Sequence, residues 1–352
     1  MTLLPRMVAL SLLGLTACGG DGAEPYTLMI SAGGATYAAA QDGDGAWQQL
    51  TFDASGTATF EVTRGYHGVV TACGSFLSGR FHAGAEPSWT SCSTSSTSVR
   101  VSGAVNPAPA TVWMQHDLWD ATDGTYRVSS APGLRDLVAT TEDRALVLRD
   151  QQLDADRTID LDIATDGFPL TTLTPTVTGN GADPYTPVTE ILTANGTWVQ
   201  TSSTAFAVVP AAQRVPGDRV VIAARLEIAG RTQVVQREVT ADVAPALVFE
   251  PLPELTLDRT GLRWGEGWDF TAVTYGPYLA PGVRTHLMIT GDWAAASGAT
   301  ALPLVDGAAL PGWDASWGWP AAGTELRGNA WAGIGDLSGD YRANFVEATL
   351  TW

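Results

Sequence analysis

The chain of 352 residues contains no lysine; its 19 basic residues are all arginines, set against 37 acidic ones. That absence removes Schiff-base chemistry, the P-loop lysine and Ser–Lys catalysis from consideration. The formal net charge of −18 argues against nucleic acid as a partner, because phosphate backbones are held by basic surfaces. A strongly acidic surface keeps an exported chain soluble and says little about its fold. Histidine is scarce as well. His67, His82, His116 and His286 fall in no H-x-H or H-E-x-x-H spacing, so the helical zinc motif is missing. There is no G-x-S-x-G nucleophile elbow. His116 and Asp117 are adjacent, but neighbours on a strand point to opposite faces and cannot pair locally. A glycosidase-type pair of carboxylates needs no local motif, so that option stays open. No catalytic residue, cofactor site or metal site is read from the sequence.

The amino-terminal apolar run is short. Met7 to Leu15 (MVALSLLGL) follows Arg6 and falls far below the ~20 residues that a membrane-spanning helix needs. It suits the core of a secretory signal, which is excluded from fold reasoning. An ordinary signal ends in small residues and has no need of cysteine, yet Leu15-Thr16-Ala17 is followed by Cys18. These four residues resemble the bacterial lipobox. The resemblance covers about twenty residues with the flanking charge. It implies that residues 1–17 are cut away, that the Cys18 thiol receives a diacylglycerol, and that the new terminus is acylated. Two or more chains, at roughly 0.8 kcal/mol per buried methylene, give stable anchoring, so a membrane is one expected partner. Residues 18–24, with Gly19, Gly20 and Gly22, read as a flexible tether. In the sorting rule that accompanies the lipobox in enteric bacteria, Asp after the cysteine favours the inner membrane. Gly19 in that place implies an extracytoplasmic protein on the outer membrane.

Three cysteines would leave one thiol unpaired in an oxidising compartment. With Cys18 lipidated, Cys73 and Cys92 remain as a pair, and the periplasm and cell surface permit disulfides. Closing that loop of about twenty residues is worth roughly 3 kcal/mol in the chain-entropy treatment. The rival reading assembles Cys73, Cys92, His67 and His82 around a metal, although none of the short ligand spacings of zinc sites is present.

Alternation dominates the rest. Short runs rich in Val, Thr, Ile and aromatics are punctuated by Gly, Pro, Asp and Asn, the pattern of an all-β protein. Ala58–Val62, Val220–Ile228, Gln233–Val239 and Val346–Trp352 are examples. Helical candidates are brief, such as Trp293–Ser297, with no sustained 3.6-residue stripe. The length allows roughly two to four domains, and the expected architecture is a tandem of small β-sandwich modules over 25–97, 98–165, 166–250 and 251–352. The last two also read as one larger sandwich. Asp42-Gly43 and Asn195-Gly196 are hairpin cues. An EF-hand starting at Asp42 fails, because Trp47 stands where the sharp turn needs glycine and Asp53 where it needs glutamate.

Residues 98–165 carry a more particular order. A strand at Val99–Val105 precedes Gly124-Thr125-Tyr126, then Pro132-Gly133-Leu134-Arg135-Asp136-Leu137, then the alternating Thr158–Ile163. The order resembles the carboxypeptidase-regulatory, prealbumin-like β-sandwich of many exported bacterial proteins, over about seventy residues. Such modules are non-catalytic appendages in that family, so the resemblance implies no enzyme. Asp160 and Asp162 lie two apart and share a strand face; a solvated outer face is expected there, with cation binding as the alternative.

Eight of the 13 tryptophans fall in 251–352, most densely at Trp313, Trp317 and Trp319. They either fill the core of a loop-rich β domain or offer flat platforms to a sugar or a protein; Trp313, Trp317 and Trp319 are the candidate ligand-binding residues. The last segment alternates as barrel strands do, but the regular lipid-facing strands of a barrel are missing elsewhere, and a closing sandwich strand is expected. The function expected is a non-catalytic structural or binding role at the envelope, toward an unidentified protein or glycan. A carbohydrate-active or other hydrolase with carboxylates in the Trp-rich region is the alternative.

Overall fold

The structure, a computed structural model, describes residues 24–31, 34–85, 98–179, 184–228, 231–277, 283–317, 319–335 and 340–351. Among them the protein is all-β, with thirty strands and two short α-helices. The amino-terminal segment forms β1 (Tyr26–Ser31), β2 (Tyr37–Asp42), β3 (Gln48–Gln49), β4 (Thr57–Val62), β5 (Tyr66–Cys73) and β6 (Phe76–Ala83). Alternation sets their faces. In β4 (TATFEV) Ala58, Phe60 and Val62 are buried and the residues between them are not. The β2–β3 turn is made where the Asp-Gly cue lies, with Gly43 at φ +59°, a conformation that costs glycine little.

The second segment holds β7 (Val99–Asn106), β8 (Ala110–Met114), β9 (Asp117–Ala121), β10 (Thr125–Ser130), β11 (Gly133–Thr140), β12 (Arg144–Leu153), β13 (Arg157–Thr158), β14 (Leu161–Asp162), α1 (Ile163–Asp166) and β15 (Phe168–Pro169). One sheet joins β10, β7, β13 and β14, and a second runs β15-β12-β11-β8-β9. Val101, Val112, Met114, Val128, Leu137 and Leu153 fill the space between them. The expected strand over Thr158–Ile163 is instead broken into β13, β14 and α1. Asp160 accepts the Ala104 N–H that the ladder would otherwise use (2.9 Å), and Asp162 caps α1 through Thr165 N.

The third segment contributes β16 (Thr171–Thr172), β17 (Val177–Thr178), β18 (Thr186–Leu192), β19 (Trp198–Ser202), β20 (Ala207–Val208), β21 (Arg219–Ile228), β22 (Arg231–Glu238) and β23 (Leu247–Val248). The fourth contributes β24 (Leu255–Asp258), β25 (Gly261–Trp264), β26 (Phe270–Pro277), β27 (Arg284–Thr290), α2 (Gly291–Ser297), β28 (Ala301–Leu302), β29 (Glu325–Gly335) and β30 (Tyr341–Thr351).

These segments do not form four successive units. A twelve-stranded sheet runs β19-β18-β21-β22-β30-β29-β26-β27-β6-β5-β2-β3 and crosses the boundaries expected at 97/98 and 250/251. Every neighbouring pair is antiparallel except β27 and β6, which run parallel from Arg284↔Phe76 to Ile289↔Phe81. Consequently the first and last segments share one core: Tyr37, Val70, Leu77 and Phe81 pack with Trp264, Trp268, Tyr275, Leu287 and Trp293. The join demands a small residue on β6. A Cβ at Gly79 would lie 2.4 Å from Leu287 Cδ2 and 3.1 Å from Val70 Cγ1.

The sandwich of the second segment is likewise not a free appendage. On β11, Leu137 and Ala139 face its own core, while Val138 turns the other way into the core of the third segment with Ile191, Val199, Ile222 and Leu247.

Candidate functional site: an open sheet face

The sequence-derived candidates are placed as follows. Cys18 and Cys92 lie outside the described residues; Cys73, at the end of β5, is disulfide-bonded. His67 and His82 are direct partners across β5 and β6, with ring centroids 6.0 Å apart. Cys73 is six residues from His67 on the same strand, about 20 Å at ~3.3 Å per residue, which is too far for both to ligate one metal. His67 is buried, and Tyr26 Oη sits 2.7 Å from its Nδ1. Burial, with His82 and Arg80 nearby, pushes its pKa down to about 4 against the opposing pull of Asp42. Asp42, in the tight turn, is bonded by Thr63 and by the Arg64 N–H. Asp160 and Asp162 are taken up by backbone and cap bonds, as above.

Trp313, Trp317 and Trp319 come together as a knot and are half-buried against the shared core. Trp313 lies 5.0 Å from Trp317 and 5.7 Å from Trp319, both edge-on. Tyr37 of β2 meets Trp313 at 5.4 Å and Trp317 at 5.3 Å, and donates its hydroxyl to Pro311 O. The rings pack edge-to-face or tilted on one another and on Tyr37 of β2, fastening this loop region to the amino-terminal segment while staying half-exposed. Elsewhere in the Trp-rich region a cavity of about 660 Å³ carries Glu266, Asp269 and Asp292 on its rim. Its tryptophans, Trp264 and Trp268, are 6% exposed and turned into the core, and Asp269 is held by Gly335 N (2.7 Å).

A different surface stands open. In the middle of the twelve-stranded sheet, β24, β25, β28 and α2 cover one face. The strand register lays out the other in rows. One row reads Glu227, Thr232, Phe345, Trp331, Ala272, Met288 and Arg80 across β21, β22, β30, β29, β26, β27 and β6. Two residues along, the next row reads Glu347, Asn329, Thr274 and His286. Beyond it lie Arg327 and, across Gly276, Arg284. Period two puts each series on one face of its strand. Trp331 lies nearly parallel to Phe345 (6.0 Å, 10°) and edge-on to Phe270 (5.0 Å), all three half-buried, while Arg225, Glu227, Asn329 and Glu347 are exposed.

A cavity of about 670 Å³ follows from this layout, with Trp331 and Phe345 in its lining and Arg225, Glu227, Thr232 and Glu347 around them. A hollow of about 270 Å³ adjoins it, shares Asn329, and holds Thr274, Arg284 and Arg327. Thr274 Oγ1 lies 2.8 Å from His286 Nδ1. The sequence singles out Trp313, Trp317 and Trp319 as candidates and gives Trp331 no separate role. The signal that it shares a face with polar groups is the spacing Arg327-Asn329-Trp331 on one strand and Phe345-Glu347-Thr349 on the next.

No protein-family model matches the chain, and neither does any curated protein.

Proposed function

We propose that this protein is a lipid-anchored envelope protein, extracytoplasmic and held on the outer membrane through Cys18, whose role is non-catalytic binding at the open face of the twelve-stranded sheet. The observation that carries the binding half is the grouping of Trp331 and Phe345 with exposed Arg225, Glu227, Asn329 and Glu347 on a face that the other described residues leave uncovered. The anchor half rests on the lipobox resemblance and on the arithmetic that leaves Cys92 to Cys73.

The ionisable groups support a non-catalytic reading. Asp53, Asp123, Asp162, Asp258 and Asp314 are each held below the usual carboxylate range, first by side-chain or backbone hydrogen bonds from a residue two or three positions on. That is the chemistry of Asx turns and caps, not of proton transfer. Glu190 is displaced upward, by burial, against Arg225 and a hydrogen bond from Trp198.

Two measurements test the two halves. Membrane fractionation and amino-terminal mass spectrometry of Cys18→Ser should show loss of both the lipid mass and membrane retention; a variant that stays bound with unchanged mass refutes the anchor. Isolated cell-envelope fragments should bind the full-length protein saturably, and Trp331→Ala should weaken that binding. Equal binding by the variant removes the face from the account.

A further inference from the structure

Resting on the reading that the sheet face binds, we infer that its ligand is a neutral polysaccharide chain laid across β21, β22, β30 and β29. Four strands spaced at about 4.8 Å give a floor roughly 14 Å across, long enough for a short run of sugar rings and too long for one. The centre of the floor is aromatic: Trp331 is stacked with Phe345 in register and meets Phe270 edge-on, and all three rings stay half-exposed. A pyranose ring has an apolar face of C–H groups, and the large flat surface of an indole is its natural platform.

The surround distinguishes a sugar from a peptide or a lipid. A purely apolar ligand would strip water from Arg225, Asn329, Glu227 and Glu347, of which Glu227 keeps only Thr232 (2.5 Å) and Glu347 only Arg327 (3.7 Å) among the described residues, at a cost for each. Sugar hydroxyls both donate and accept. Around the rings the cavity sets acceptors (Glu227, Glu347), donors (Arg225) and groups that do both (Thr232, Asn329). Charge separates neutral from acidic glycans. Glu227 and Glu347 border the aromatic pair, Arg327 already faces Glu347 at 3.7 Å, and the chain as a whole carries −18. At long range a polyanion is repelled by the net charge of the chain, and at the face Glu227 and Glu347 oppose it while Arg225, Arg284 and Arg327 offset them, whereas a neutral chain needs no counter-charge at either range.

Affinity electrophoresis of the full-length, detergent-solubilised protein tests this directly. The gels contain hydroxyethyl cellulose, dextran or polygalacturonate. Retardation by at least one neutral polymer is expected, with little change on adding salt, since the contacts are not between net charges. Trp331→Ala should weaken it about tenfold or more, equivalent to at least ~1.4 kcal/mol. Trp119→Ala, which removes an exposed indole on β9 far from this face along the chain, should leave it unchanged. Asn329→Ala gives a milder, smaller side-chain loss and should weaken retardation severalfold, so the test survives if Trp331→Ala unfolds. Three outcomes overturn the inference: no retardation by either neutral polymer, retardation equally reduced by Trp119→Ala, or retardation by polygalacturonate alone that salt abolishes. In the last case, loss in Trp331→Ala would keep the face as a binding site while rejecting its neutral ligand. Envelope binding unaffected by Trp331→Ala would instead reject the face itself.

Discussion

Arg149 of β12 donates to Asp218 through both terminal nitrogens, Nη1 to Oδ1 at 2.8 Å and Nη2 to Oδ2 at 2.6 Å, with Asp136 Oδ2 3.3 Å from the same Nη1. Asp136 and Asp218 have fully buried side chains. Asp218 comes from the segment just before β21, so the fork ties the sandwich of the second segment to the third. Around it, Asn195 donates to Asp136 and to Asp150 (both 2.9 Å), and Thr197 donates to Asp136 O (2.7 Å). Bidentate geometry of this kind is the strong form of a charged hydrogen bond. Breaking a buried pair costs about 3–5 kcal/mol, and loss of Asp218 leaves Arg149 only the longer contact to Asp136 among those described. Asp218→Ala should therefore lower the urea unfolding free energy by roughly that amount. An apolar replacement of both Arg149 and Asp218 should cost much less than the two single changes added together.

The same clasp sets an acid limit. Burial pushes the Asp136 carboxyl up, but hydrogen bonds from Asn195, the Asp150 N–H and Thr193, together with the Arg149 charge, hold it below its ordinary value. A depressed carboxylate contributes stability that is complete above the unfolded pKa of about 3.9 and is lost as pH falls through the lower folded value. Unfolding followed by intrinsic fluorescence should show a steep loss of stability below about pH 4. In Asp136→Asn the protein should be weaker at neutral pH and its acid dependence shallower.

His67 acts in a higher window. Its pKa falls to about 4, mainly through burial, from an unfolded value near 6.5. The folded state resists protonation, so the stability tied to the neutral ring is whole above pH ~6.5 and is lost as pH falls toward 4. Between pH 7 and 5 that linkage amounts to about 2 kcal/mol. His286 is lowered by burial as well and adds to the overall slope. The contribution of His67 is read from the difference: urea midpoints of His67→Gln should change less between pH 7 and 5 than those of the wild type.

The local half of this fold was legible in the sequence. Alternation located β4, β21, β22 and the end of β30, a strand was read at β7, and the Asp42-Gly43 and Asn195-Gly196 dipeptides marked real hairpin turns, with Gly196 at φ +79°. The pairing of β6 with β27 was not legible. Its partners lie some two hundred residues apart, and nothing in FLSGRFHA or RTHLMIT names the other as neighbour. The open face was hidden for the same reason. Trp331 and Phe345 are ordinary alternating residues until β29 and β30 pair in register and β22 and β21 extend the floor. The break in Thr158–Ile163 escaped because period two was satisfied; the side chains of Asp160 and Asp162, competing for backbone N–H groups, ended the ladder.

The β6–β27 join should be intolerant of bulk. Leu287 is fully buried, so it cannot swing away from a side chain introduced at Gly79. Overpacking of a filled core costs typically 1–3 kcal/mol. Gly79→Val should destabilise by at least that much, and hydrogen exchange should rise along β6 and β27 together. Protection lost only in β6 would show that the two segments do not fold as one sheet.

The tryptophan knot makes the contrasting case to the open face. Trp313 and Trp317 enclose Tyr37 and bind the 303–324 region to β2, so their removal opens a cavity in the core shared by the first and last segments. Truncating a large aromatic in a core costs about 3–5 kcal/mol when it is wholly buried, and these half-buried rings should each cost less, about 2–3 kcal/mol by the same reasoning. Trp317→Ala should thus lower the thermal midpoint by several degrees while leaving retardation by neutral polysaccharide intact below that temperature. Trp331→Ala, which removes a half-buried ring from Phe345 and Phe270, should cost stability on the same scale but should also lose the retardation below its midpoint. If Trp317→Ala abolished retardation in a protein still folded by near-ultraviolet circular dichroism, the ligand-binding role would return to the knot.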